Sequence, residues 1–312
     1  MTTALLPASA QAAIGDRLPG SIDVLWWADG EELVAHAPNA EIAWIDMLAK
    51  AAPLEALRRA EKLQWLSTAF AGVDWLPLDD LRQRKITLTN GSGLTAAPVA
   101  EFALLGMLAV ARGYRDIVRA QDRGEWLDGP PATRELAGSR ALIIGNGAIG
   151  QAVGRMLRGF DVEVVPVSRS GGAGVLRPEE WRAQIGSFDW VVLALPGTPE
   201  TAGMIDAETI AAMKTDAVLV NVARADVIDQ DALIAALENG RIGGAVLDLT
   251  DPEPLPPGHR LWTTPNCHVT MHLAGVPTQA SFLRAVDRLV ENCIAWEAGQ
   301  PLTAQVDLDL GY

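Results

Sequence analysis

Arg140-Ala-Leu-Ile-Ile-Gly145-Asn-Gly147-Ala-Ile-Gly150-Gln-Ala-Val-Gly154-Arg155 is the stretch whose reading decides the fold. Ala141 to Ile144 is a short apolar run closed by a glycine, the pattern of a strand buried in a parallel sheet. Gly145-x-Gly147-x-x-Gly150 predicts a tight turn, and Ile149–Leu157 the helix that follows it. A second apolar strand, Val162–Val167, comes next. Strand, glycine turn, helix and strand in this order form a dinucleotide-binding βαβ unit. Gly145 allows the turn, Gly147 lets a pyrophosphate approach the backbone, and Gly150 lets helix and strand pack closely. The amides of Asn146, Gly147, Ala148 and Ile149 then point from a helix N-terminus at the phosphates.

Working outward, the same alternation continues downstream. Strands are predicted at Trp190–Leu195, Ala217–Asn221, Gly244–Asp248 and Cys267–Thr270, with helices at Asp206–Met213 and Asp229–Asn239. Upstream, Ile22–Trp27, Glu41–Ile45, Leu63–Phe70 and Lys85–Thr89 read as strands, and Pro53–Ala60 and Leu78–Arg84 as helices. Alternating strands and helices build parallel sheets covered by helices. The fold class is therefore α/β, with two Rossmann-like or flavodoxin-like domains. One helix, Pro98–Arg119, bridges them, and a last helix, Gln279–Glu297, packs back on the first domain. The expected domains are residues 1–98 completed by 277–312, and residues 99–276, with the active site in the cleft between them.

With 312 residues the chain is long enough for two cores. Its net charge of −14 argues against a general affinity for nucleic acid or an anionic membrane. It leaves room for a small anion held by a few arginines. Two cysteines give no disulfide framework, and a reducing cytoplasm is the expected compartment. The alanine-rich start lacks the basic and apolar regions of a signal peptide. The run Phe102–Ala111 is too short to span a bilayer and reads as a core or interface helix.

Three further segments carry chemistry: Val220-Asn-Val222-Ala223-Arg224-Ala225-Asp226, Asp248-Leu-Thr-Asp-Pro-Glu253-Pro254, and His268-Val-Thr-Met271-His272. With Ala69-Phe70-Ala71-Gly72-Val73-Asp74, Thr89-Asn90-Gly91-Ser92-Gly93 and Trp190-Val-Val-Leu-Ala-Leu195-Pro196-Gly-Thr-Pro-Glu200-Thr201, they resemble the D-isomer-specific 2-hydroxyacid dehydrogenases, in their glyoxylate/hydroxypyruvate reductase branch. The resemblance covers nearly the whole chain. It implies that Arg224 grips the substrate carboxylate and the adjacent carbonyl oxygen, for which a planar fork is suited. His272 would be the proton donor, and Glu253 would hydrogen-bond it and keep it charged for reduction. The amides of Ala71 and Gly72 would hold the carboxylate from the other domain. Leu195, Pro196, Val222, Ala223, His272 and Asp248 would surround the nicotinamide, Asp248 holding its carboxamide. Ala225 stands where the family usually has glycine, and Met271 where it usually has proline. A homodimer is expected, with Phe102–Ala111 and the segment around Trp126 at its surface.

Enzymes of this fold that use NAD place a carboxylate about 20 residues after the glycines to bind the ribose 2′-hydroxyl. Here the position reads Val167-Ser168-Arg169-Ser170. With no carboxylate to repel a 2′-phosphate, and with Ser168, Arg169 and Ser170 able to donate to one, NADP(H) is expected ahead of NAD(H). Arg155 and Arg177 are candidate helpers. His268 and His272 are four apart, but no third ligand is evident, so no metal is expected. The expected reaction is NADPH-dependent reduction of a short, anionic 2-oxo acid to the 2-hydroxy acid. A dehydrogenase for a bulkier 2-hydroxy acid, and an NADP-binding sensor or corepressor that kept the fold, remain open at this point.

Overall fold

The computed structural model describes residues 1–47 and 49–311. The chain divides into two units, Met1–Thr95 with Pro277–Tyr312, and Ala96–Val276. The first crossing falls at 95/96 rather than the expected 98/99, because the helix that opens the second unit starts at Ala96.

The first unit runs β1 (Thr2–Pro7), α1 (Gln11–Ile14), β2 (Ile22–Trp27), α2 (Gly30–His36), β3 (Ile42–Trp44), α3 (Ala51–Arg59), β4 (Trp65–Ser67), α4 (Leu78–Gln83) and β5 (Thr87–Thr89). Its strands are parallel in the order β2-β1-β3-β4-β5, the flavodoxin-like arrangement. β1, α1 and α2 are additions to the elements expected from the sequence. β1 has an apolar inner half, with Ala4, Leu5 and Leu6 fully buried at the centre of the sheet. α2 is capped by Asp29, whose carboxylate accepts from the amides of Glu31 and Glu32, both at 2.9 Å.

The second unit runs α5 (Ala96–Arg112), α6 (Tyr114–Asp122), β6 (Arg140–Ile144), α7 (Ala148–Arg158), β7 (Glu163–Val167), β8 (Trp190–Leu193), α8 (Ala207–Ala212), β9 (Val218–Asn221), α9 (Gln230–Glu238), β10 (Gly244–Leu247) and β11 (Cys267–Val269). The sheet is again parallel, in the order β11-β10-β9-β8-β6-β7. β6, β8, β9 and β10 are buried almost throughout, as helices on both faces require. The chain then returns to the first unit as α10 (Gln279–Glu297). Thr278 and Ser281 close its start with a capping box. Its buried face (Ala285, Val286, Leu289, Val290, Cys293) joins one core with Ala4, Leu6, Ile42 and Trp65.

The bridging helix expected at Pro98–Arg119 is two helices. α5 and α6 meet at Gly113 with a bend of 74°. Gly113 has φ 61°, and a Cβ there would lie 2.7 Å from Cβ of Pro131, so both the backbone and the neighbouring loop demand glycine. α5 buries Val99, Ala103, Gly106 and Met107, one helical stripe. Gly106 lets it sit on β10, since a Cβ would come within 2.4 Å of Val246. Among the described residues no single helix is long and apolar enough to cross a membrane. Cys267 and Cys293 are buried, and burial pushes both thiols up to about 12, which leaves neither reactive. Gly113→Ala should destabilise the protein by about 1–3 kcal/mol, from left-handed strain plus the clash with Pro131. Chemical denaturation of the two proteins checks this, and equal midpoints would show that the bend is not needed.

Candidate active site

Strand order reverses where β6 meets β8, since β7 lies on one side of β6 and β8 on the other. Ligands of open α/β sheets bind outside the carboxyl ends of the strands at such a point. The three glycines there have different physical reasons. Gly145 has φ 107°, and a Cβ on it would lie 2.2 Å from the carbonyl oxygen of Ala194. A Cβ on Gly150 would lie 1.9 Å from the carbonyl oxygen of Gly145. Both are fixed by the protein's own backbone. Gly147 has no neighbour within 4 Å of such a Cβ. Its lack of a side chain serves no internal packing and suits close approach of a pyrophosphate. Among the described residues no protein acceptor takes the amides of Gly147, Ala148 and Ile149 at the start of α7. A dinucleotide phosphate therefore fits this cradle.

Beyond β7 the chain turns at Ser168-Arg169-Ser170, which is partly or fully exposed. The hydroxyls of Ser168 and Ser170 are 3.0 Å apart. Leu176 returns beside Val167, so the turn is closed at its base. The Arg177 guanidinium packs against it, with Nε 3.2 Å from where a Cβ of Gly171 would be. Of the two candidate helpers, Arg177 thus lies at the serine turn. Arg155 lines a groove with Arg158, Val164 and Pro166 that does not include Ser168 or Ser170.

The ends of β9, β10 and β11 carry the proposed catalytic side chains. Asn221, fully buried at the end of β9, accepts from the amide of Ala223 at 2.9 Å and donates to the carbonyl of Arg224 at 2.8 Å. Gly197, beyond Leu195 and Pro196, makes room for the arginine's stem, since a Cβ there would lie 2.8 Å from Cγ of Arg224. Pro196 itself is braced by the Thr201 hydroxyl at 2.9 Å. Ala225 opens a short 3₁₀ turn, and its φ is not positive, which is why alanine serves there.

Asp248 organises the turn that presents His272. Its Oδ1 accepts from the Thr270 hydroxyl at 2.6 Å and from the amides of Leu273 and Ala274 at 3.1 and 3.3 Å. Its carbonyl accepts from the amide of His272 at 2.6 Å. Within this turn Met271 and His272 both have φ 56°. Proline cannot adopt that angle, so methionine at 271 belongs to a backbone that proline would forbid. His272 Nδ1 lies 3.0 Å from Glu253 Oε2. The pair is about half exposed, so it orients the ring more than it stabilises the fold. With Nδ1–H donating to the carboxylate, Nε2 is the atom left to pass a proton. His268, on β11, is held below the ordinary histidine value by burial and by Arg115, as suits a structural residue. Asn221, Gly197 and Thr270 escaped the sequence reading. Asn221 carried a signal, as a polar residue closing an apolar strand.

In the first unit, Ala71 and Gly72 follow β4 in an open loop. Among the described residues neither amide donates to a protein acceptor. The Asn90 side chain donates to the carbonyl of Ala71 at 2.8 Å. Gly91 lets β5 run against this loop, since a Cβ would lie 1.8 Å from the carbonyl oxygen of Ala69. Among the described residues no cluster of three or more His, Cys, Asp or Glu side chains could hold a metal.

Residues 104–274 match the sequence profile of the D-isomer specific 2-hydroxyacid dehydrogenase NAD binding domain. The chain belongs to this family. It is similar to glyoxylate/hydroxypyruvate reductase A of Serratia proteamaculans, at 30% identity over 96% of this chain and 95% of that protein. Among solved structures it resembles a D-isomer specific 2-hydroxyacid dehydrogenase family protein from Aeromonas salmonicida, with TM-score 0.86, 30% identity and 99% of each chain covered. A family member from Xanthobacter autotrophicus Py2, solved with NADPH and MES, has TM-score 0.79 and 31% identity and covers 100% of each chain. As a D-2-hydroxyacid dehydrogenase family member the protein is an NAD(P)-dependent oxidoreductase of the glyoxylate/hydroxypyruvate reductase-like branch, with two parallel-sheet domains.

The glycines of this D-2-hydroxyacid dehydrogenase give a sharp contrast to test. Gly150→Ala should lower both the melting temperature and dinucleotide affinity, because a carbonyl must move. Gly147→Ala should leave melting almost unchanged and weaken NADPH at least about 10-fold, because its Cβ enters the phosphate's space. Calorimetry and fluorescence titration read the two effects, and a Gly147→Ala protein with normal NADPH affinity would remove the phosphate from that position.

Proposed function

We propose that the protein reduces a short 2-oxo acid of the glyoxylate or hydroxypyruvate type to its 2-hydroxy acid, with NADPH preferred to NADH. The observation that carries this reading is the Glu253–His272 pair at 3.0 Å, set on a turn anchored by Asp248. The names of the Serratia relative and of the Xanthobacter complex support it. The bound nicotinamide supplies the hydride. Arg224 holds the substrate carboxylate and draws electron density from the carbonyl oxygen. In the first unit, Ala71 and Gly72 would offer amides to a substrate carboxylate. His272 delivers a proton to that oxygen from Nε2, while Glu253 holds the ring and stabilises its charge. Asp248 uses only Oδ1 to hold the turn, which leaves Oδ2 for the carboxamide of the cofactor. Ser168, Arg169 and Ser170 take the 2′-phosphate, with Arg177 beside them. The second unit also exposes Leu105, Tyr114, Trp126 and Leu127, an apolar set that suits a homodimer.

A panel of 2-oxo acids assayed in parallel with NADPH and NADH tests the reading. His272→Ala should lower kcat by about 100-fold or more while NADPH binding survives. Arg224→Ala should raise KM as well, since it holds the ground state. Near-normal kcat/KM in either variant would overturn that residue's role, and tight NADPH binding without turnover of any acid would point to a sensor.

Cofactor choice is tested separately. Charge-assisted hydrogen bonds to the 2′-phosphate, reduced by exposure, give an expected preference for NADPH of about 10- to 100-fold in kcat/KM. Ser168→Asp should reverse it, by repelling the phosphate and accepting from the NADH ribose. A Ser168→Asp protein that still favours NADPH would show the 2′-phosphate to lie elsewhere.

A further inference from the structure

Lys50 stands just before α3, and its ammonium lies 3.9 Å from the ring centre of Phe70 and 4.2 Å from that of Trp75. The two rings meet edge to face, 89° apart, and form two walls around the cation. Both rings belong to the loop after β4. Phe70 immediately precedes Ala71 and Gly72, one Cα step of ~3.8 Å away, and Trp75 follows them. The loop that offers two free amides to a carboxylate therefore also carries a clamped positive charge.

Three further observations bear on what that charge is for. Lys50 Nζ donates to the carbonyl of Met47 at 3.0 Å, and among the described residues no other protein acceptor takes its hydrogens. No acidic side chain forms an ion pair with it among those residues. Asp46 and Asp74 attract it from a distance, while partial burial pulls its pKa down. Asp46 is committed elsewhere. Its buried carboxylate accepts from the Thr68 hydroxyl at 2.6 Å, the Ala69 amide at 2.5 Å and the Trp44 indole at 2.7 Å, which pins the start of the same loop. Trp75 Nε1 is buried with no hydrogen-bond partner among the described residues, so this tryptophan is placed for its ring and not for its N–H. A lysine kept for packing alone would lose nothing by being methionine, and one kept for stability would meet a carboxylate directly. This one is half-buried, held by aromatic faces and, among the described residues, left with donors to spare.

We propose that Lys50 receives a second anionic group at the far end of a longer substrate, so that beside acids of the hydroxypyruvate type the site also takes 2-oxo acids with a distal carboxylate or phosphate. The proposal rests on reading Ala71 and Gly72 as the carboxylate loop of a 2-oxo acid reductase.

The test compares wild type with Lys50→Met, Lys50→Gln and Lys50→Arg at saturating NADPH. Oxaloacetate and phosphohydroxypyruvate carry the distal charge, while 2-oxobutyrate and hydroxypyruvate lack it. Wild type should reduce at least one charged acid no less efficiently than hydroxypyruvate, and the better of the two identifies carboxylate or phosphate. Lys50→Met and Lys50→Gln should lose about 10- to 100-fold in kcat/KM on that acid and less than about 3-fold on the uncharged ones. Lys50→Arg should keep most of the efficiency on the charged acid. The two neutral variants are read together, so that a folding loss in one does not decide the matter. An equal loss on all four acids, or no loss on the charged ones, overturns the proposal. If wild type turns over none of the acids, the catalytic reading fails, and binding alone decides Lys50. Calorimetric titration with malonate and with acetate, NADPH present, should then show a malonate preference that Lys50→Met abolishes. Equal binding of malonate by the two proteins overturns the subsite.

Discussion

Three stretches of backbone approach one another at the carboxyl end of β6 more closely than any side chain would permit. The carbonyl of Ala194 fills the place of a Cβ on Gly145, and the carbonyl of Gly145 fills the place of one on Gly150. Everything else at this end of the sheet follows from those two contacts. They set β6 beside β8, aim the start of α7 outward, and, among the described residues, leave the amides of Gly147, Ala148 and Ile149 without protein acceptors. A third glycine, Gly147, then keeps the space in front of those amides open. The architecture thus separates two glycines that the fold itself requires from one that internal packing does not, within six residues.

The catalytic end of the second unit is organised by a carboxylate in the same spirit. Asp248 is nearly buried, and its Oδ1 gathers Thr270, Leu273 and Ala274. Two consecutive residues in the left-handed region are costly for non-glycine side chains. The hydrogen bonds to Asp248 hold Met271 and His272 there, and the strain aims the imidazole at Glu253. Asn221 performs the corresponding task for the backbone around Arg224. The side chains proposed for catalysis are therefore partly exposed, and their orientation comes from buried polar residues one layer behind.

Much of this was legible in the sequence because its causes are local. The second sheet announces itself through continuous apolar runs ending in glycine or in a polar residue, and each predicted strand is present within a few residues of its expected bounds. The glycine turn lies in one short segment, and Arg224, Glu253 and His272 lie in short segments whose resemblance to the family singles them out as candidates. What was missed depends on contacts distant in sequence. β1 is hidden because its apolar half runs directly into the alanines of Ala8–Ala13. The break at Gly113 is hidden because α5 and α6 share a helical composition, and only Pro131 shows why the chain must turn. The roles of Asp46 and Lys50 arise where the ends of β3 and β4 lie side by side, a pairing no window along the chain contains.

The first unit is completed by its last residues. α10 supplies Ala285, Val286, Leu289, Val290 and Cys293 to one of its cores, Val306 joins the other, and Gln305 pairs with Thr89 at the sheet edge. During synthesis, residues 96–276 must therefore emerge before the unit that began the chain can close. At ~5–20 residues per second this is a delay on the order of ten to forty seconds. For that interval the face of β1, β3 and β4 that packs on α10 has only α1 against it, while the second unit, continuous in sequence, can already be finished. The order of folding is the reverse of the order of translation, and the waiting strands are where a newly made chain is most exposed to aggregation and to chaperones.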